Sequence, residues 1–233
     1  MSSEHEPAHI DPLAHVAQVD HPDRVGDARA AAGRAIRDIG HALVGHHAPI
    51  TRLDEVTSVL DELTAVLVTG ESRSRAEVRR DGEWGAPPAN GERMTSYDER
   101  PISGRASPWG LDLEIHRDAD EVVATFVLRA AHEGAPGRSH GGIVAAMFDD
   151  VYGFVLTILA QPAFTGELAV RYEAGVPIGL PLECRVRLDG RDGRKLYMTG
   201  ELTDAGRVVA RSKATFIATA REQFQQGGGA AKP

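Results

Sequence analysis

The sequence predicts an α+β domain in which a strongly curved antiparallel sheet wraps one long helix. Three observations carry this expectation. Residues 141–159 are apolar on most sides, and a helix of that kind has to be surrounded. Segments of strand character precede it (111–116 and 122–128) and follow it (165–172, 182–188, 195–202 and 208–218). The intervening stretches 189–194 and 203–207 contain the Asp and Gly chemistry of tight connections, and 117–121 reads as a hairpin turn. Two strands, a buried helix and four strands in a meander fit within residues 111–219.

The elements ahead of this domain are of another kind. Residues 1–22 are polar and punctuated by proline, and are expected to be flexible or loosely attached. From Val25, the residues Ala28, Ala32, Ile36, Ile39 and Leu43 recur every three or four positions, predicting an amphipathic helix that stops near Gly45. A second helix is expected to start from Thr51 as N-cap, with Leu53, Val56, Leu60, Leu63 and Leu67 in one stripe and a stop at Gly70. Joined by a short His/Pro loop, the two read as an αα-hairpin. Residues 70–110 show no sustained period and form an irregular connector. The tail from Arg221 is expected to be disordered. The expected division is thus 1–95 (flexible segment, helical hairpin and connector), 96–220 (main domain) and 221–233 (tail).

Composition narrows the function classes. A formal net charge of −8 disfavours wholesale binding to nucleic acid or an anionic membrane. The single cysteine, Cys184, permits no intrachain disulfide and no CxxC zinc pattern, and reads as a packed thiol in a strand. No apolar core of a secretory signal is seen near the N-terminus, and no run of about 18 apolar residues, so neither a signal nor a transmembrane helix is expected and the location is read as cytoplasmic. His41, His46 and His47 do not share one helical face, so surface or loop histidines are expected there rather than a metal site.

The chemistry concentrates in residues 133–153, EGAPGRSHGGIVAAMFDDVYG. Gly141 and Gly142 open the long helix, where backbone N–H groups lack intrahelical partners and the helix dipole is positive. Such an entrance can polarise a carbonyl oxygen. Asp149 falls two and a half turns along, a carboxylate in an apolar helix that must be paired or functional. Asp150 is its competitor, but neighbouring helical residues point about 100° apart, so only one faces a site; Asp149 is the choice.

The glycine-rich EGAPG, the HGG of His140, Gly141 and Gly142, the acidic residue nine positions after the histidine, and the later TGELAVRY and Gly193-Arg194-Lys195 together resemble the thioesterase superfamily of the hotdog fold. Within it they resemble the PaaI-like acyl-CoA thioesterases with EGxPG before HGG. The resemblance covers residues 97–219. It implies a hotdog fold preceded by the helical extension, and hydrolysis of an acyl-CoA thioester to a free acid and CoA. It assigns Asp149 as general base or nucleophile, the Gly142 or a neighbouring amide to the oxyanion role, and His140 as a loop anchor lining the site. Thr165 takes the place of a Ser or Thr that bonds the acidic residue or the attacking water; an ordinary strand residue is the equal alternative. Arg171, Glu173, Arg194, Lys195 and Gly141 are implied contacts to CoA. Gly134 departs from relatives that carry Asn or Gln six residues before the histidine, which leaves polarisation to backbone amides.

No cofactor or metal is implied beyond CoA as part of the substrate. The expected partner is a second copy, as a homodimer or homotetramer with Gly142 and Asp149 of one site from different chains. Two roles are open to the N-terminal helices, capping an acyl channel or extending the interface. Met147, Phe148, Phe154 and Leu156 either shape an acyl tunnel or pack in the core. A hotdog hydratase would require a different Asp/His arrangement. A non-catalytic acyl-CoA-binding module is the other alternative.

Overall fold

The computed structural model describes residues 22–72 and 87–220. The expectations for the N-terminal segment, for the C-terminal tail and for the middle of the 70–110 connector lie outside the described residues.

Two helices come first, α1 (Pro22–Gly45) and α2 (Ile50–Leu67). The domain follows with β1 (Glu114–Asp118), β2 (Glu121–Val127), a 3-10 turn (Ala130–His132), the short hairpin β3 (Glu133–Ala135) and β4 (Arg138–Ser139), and helix α3 (Gly141–Ile158). Four strands complete it: β5 (Ala163–Tyr172), β6 (Pro181–Asp192), β7 (Lys195–Asp204) and β8 (Arg207–Ala218). Six strands make one antiparallel sheet in the order β1-β2-β6-β7-β8-β5. The last four strands are therefore not a simple meander. Residues 173–180 carry the chain across the sheet, so β5 pairs with β8 and becomes an outer edge.

The sheet curves around α3. Register shifts at Thr165/Glu167, Leu188/Gly190 and Leu202/Thr203 each add an unpaired residue, which bends a strand and raises its local twist. The core so enclosed joins Val144, Met147, Phe148, Val151, Phe154 and Val155 of α3 to inward residues of every long strand. Met147, Phe148, Phe154 and Leu156 all belong to it and are at most 1% exposed, which is the packing alternative for these four. By length and composition α3 is apolar enough to cross a membrane, contrary to the expectation that no such run exists, because two aspartates barely lower the mean of so apolar a stretch. It is 61% buried within the domain, the condition of a core helix.

The N-terminal helices depart furthest from their periodicity. Thr51 is not a cap: α2 begins one residue earlier, behind Pro49, with no side-chain cap. No residue of α2 is buried, so the two helices do not close into a packed hairpin. In α1 the apolar residues Ile36 and Leu43 face outward, while Gly33, Arg37 and His41, spaced by four, are buried against the domain. This face fits because its partner is a polar loop. A Cβ at Gly33 would lie 2.4 Å from the Ala106 carbonyl oxygen. The Arg37 guanidinium donates to the carbonyls of Arg105 and Ser107 and to the Asp112 carboxylate. A helix docked on exposed carbonyls needs donors, not leucines.

Candidate active site

Two adjacent carboxylates on α3 have opposite surroundings. Asp150 is buried and accepts from Arg100 Nε at 2.7 Å, while Arg100 also donates to the Asp150 carbonyl at 2.5 Å and lies 4.6 Å from the Phe154 ring centre. Asp149 is exposed, and its Oδ1 accepts a 2.7 Å hydrogen bond from the Thr165 hydroxyl. Thr165 sits at the bulge in β5, where the irregular register turns it towards the helix.

At the other end of α3, His140 is the N-cap and its Nδ1 accepts from the Gly142 N–H at 3.0 Å. The Ile143 N–H goes to the His140 carbonyl. The Gly142 donor expected to be free for a carbonyl oxygen is thus taken by the neighbouring ring, since a first-turn N–H donates to any cap acceptor within reach. Among the described residues, the Gly141 N–H at the start of this turn has no acceptor. Tyr172 holds this residue in place: its hydroxyl donates to the Gly141 carbonyl at 2.6 Å, and partial burial raises its pKa, keeping the donor protonated. The EGAPG stretch forms the β3–β4 hairpin, whose turn is fastened by the Gly137 N–H to the Glu133 carboxylate.

The expected CoA-binding residues fall into two groups. Arg171 and Glu173 form an ion pair near one end of β5, at a groove of about 900 Å³ on the outer face of the sheet that Arg185, Arg187, Arg211 and Lys213 also line. Arg194 and Lys195 lie at the β6–β7 turn, with Lys195 and Phe164 both paired to Ile217 at the other end. Phe164 and Arg171 are seven residues apart on β5, roughly 23 Å along an extended strand, so one chain does not gather the four around one ligand.

The sequence model of the thioesterase superfamily matches residues 136–221. Over this segment, a little more than a third of the chain, the sequence is similar to that superfamily. The chain is 29% identical over 113 residues to acyl-coenzyme A thioesterase THEM5 of Mus musculus, covering 48% of the chain and 46% of the relative. It is 32% identical over 87 residues to acyl-coenzyme A thioesterase THEM5 of Homo sapiens, covering 36% and 35%. The chain therefore spans less than half the length of these curated relatives. A crystal structure of a thioesterase superfamily protein superposes with a TM-score of 0.67 at 23% identity, over 81% of this chain and 94% of that one. The fold is the hotdog, and 81% is more than residues 111–219 can supply, so the likeness reaches into the N-terminal helices.

Within this domain, sequence reading missed Arg100 and Tyr172 as neighbours of the site. Arg100 lay in the connector, and only a buried Asp150 in need of a counter-ion pointed to it. His41 was misplaced: it is 7% exposed, with its ring 4.6 Å from that of His132. His46 and His47 are exposed, and no cluster of three metal-ligating side chains exists among the described residues. Cys184 is buried, and burial raises its thiol pKa, which removes it as a nucleophile.

Proposed function

We propose that the domain hydrolyses an acyl-CoA thioester, with Asp149 as general base or nucleophile and the amides at the α3 entrance polarising the carbonyl. One observation carries the reading. Of two adjacent carboxylates, Asp150 is neutralised by Arg100, whereas Asp149 faces outward with a single hydroxyl donor. A carboxylate so held keeps a free oxygen for a proton or for an acyl carbon.

As a base, Asp149 takes a proton from water while the water oxygen attacks the thioester carbon. The carbonyl oxygen gains negative charge beside the Gly141 and Gly142 amides, and collapse of the tetrahedral species expels the CoA thiolate, which is then protonated. As a nucleophile, its oxygen displaces the thiolate to give a mixed anhydride that water cleaves. The names of the curated relatives support the substrate class.

The active assembly is a homodimer or a dimer of such dimers. The outer edge of β5 offers ten residues of unpaired backbone, a ready template for a second copy. Such pairing also supplies Arg171 and Glu173 from one chain and Arg194 and Lys195 from the other to a single CoA.

The test is CoA release from acyl-CoAs of graded chain length by the wild type and Asp149→Asn. Full hydrolysis by the variant discards the mechanism. Tight acyl-CoA binding without turnover in the wild type makes the domain a binding module instead.

A further inference from the structure

His41 and His132 meet edge to face where α1 crosses the 3-10 turn, and both are more than nine-tenths buried. Each ring is held through the same atom. The Nδ1 of His41 accepts from the Ala131 N–H at 3.1 Å, and the Nδ1 of His132 accepts from the Arg129 N–H at 3.0 Å. An imidazolium has no lone pair there, so protonating either ring sets N–H against N–H. The turn leads directly to the site. The His132 carbonyl accepts from the His140 N–H at 2.8 Å, and a Cβ on Gly134 would lie 2.7 Å from the His140 Cα.

We propose that His41 and His132 are paired positioning residues that fasten α1 to the turn behind the helix entrance, and do so only while both rings are neutral. The catalytic half of this inference rests on the hydrolase reading; the docking half does not. Among the described residues, the charges facing the pair come from three elements. From the turn, Arg129 opposes protonation; from α1, Arg37 opposes it and Asp38 favours it; from the preceding loop, Asp112 favours it. Both carboxylates are already engaged, Asp38 by Arg129 and Asp112 by Arg37. Burial, the neighbouring ring and Arg129 push His132 down to about 4, and burial lowers His41 as well. The released rings take up protons near the ordinary value of 6.5, which the docked rings resist. Docking is therefore complete above that value and weakens as pH falls towards 4.

Asparagine carries an acceptor oxygen close to the Nδ1 position but does not titrate, which supplies the control. In the full chain, His41→Ala and His132→Ala are expected to lower kcat about 10- to 100-fold with KM little changed, the scale of a misplaced catalytic group. The Asn variants restore kcat. Between pH 6.5 and 5, the wild type is expected to lose activity and gain proteolytic cleavage within residues 22–45 relative to the double Asn variant at the same pH. Equal acid sensitivity of wild type and double Asn variant overturns the proton dependence. Unchanged kcat in both Ala variants overturns the positioning role. A wild type without thioesterase activity whose α1 still becomes cleavable in acid discards the hydrolase reading and keeps the clamp.

Discussion

Replacing Asp150 by alanine and Asp149 by asparagine separates two jobs that adjacent carboxylates divide. Arg100 and Asp150 have side chains only 6% and 9% exposed, so removing the acid takes a carboxylate away from a buried guanidinium. Breaking such a pair costs about 3–5 kcal/mol. Two details favour the lower half of that range: Arg100 keeps its bond to the Asp150 backbone carbonyl, and Asp150 Oδ2 has no hydrogen-bond partner among the described residues. For a chain of this size the loss corresponds to a Tm lower by about 10 °C. Asp149→Asn keeps an oxygen for the Thr165 hydroxyl at an exposed position, and its stability is expected to stay within about 0.5 kcal/mol. Its kcat is expected to fall at least about 100-fold, the usual share of a general base. Urea and thermal unfolding followed by circular dichroism, with CoA-thiol release on the same samples, measure both. Arg100→Met combined with Asp150→Leu should recover most of the stability lost by Asp150→Ala, because an apolar pair leaves no unpaired charge. An unaltered Tm in Asp150→Ala, or a folded Asp150→Ala as inactive as Asp149→Asn, refutes the division.

Three further outcomes follow. Thr165→Val keeps the strand shape and removes the donor that orients Asp149; kcat for CoA-thiol release should drop about 10-fold with KM little changed. Tyr172→Phe frees the Gly141 carbonyl and should reduce kcat more than KM, while stability changes by about 1 kcal/mol as seen in urea titration. Gly200→Val places a Cβ 2.8 Å from Val186 and 3.0 Å from the Tyr152 hydroxyl, so overpacking should lower stability by about 1–3 kcal/mol in the same titration.

The helix, its glycine entrance and the strands around it were legible because each follows from a local rule: periodicity, capping and turn chemistry. Strand β5 was found but misplaced, since its partner depends on where residues 173–180 carry the chain and not on its own residues. The α1 docking face was misread for a physical reason. Apolar periodicity marks a buried face only when the partner is apolar, and the partner of α1 is a loop presenting carbonyls to Arg37. Asp149 and Asp150 were distinguishable by angle but not by environment, because Arg100 is fifty residues away in the sequence. The His41–His132 contact joins residues ninety-one positions apart, and nothing in either local pattern announces it.

The ring of His140 resting on the Gly142 amide makes the helix entrance a site of exchange. Any incoming oxygen gains only the difference between its own hydrogen bond and the one it displaces. A neutral thioester oxygen, a modest acceptor, gains little by that trade, whereas an oxygen acquiring full negative charge forms a bond roughly twice as strong. Under the proposed hydrolase reading, the resident imidazole cancels much of the attraction for the bound substrate and leaves most of it for the fleeting tetrahedral species, so affinity and acceleration become separable at a single N–H.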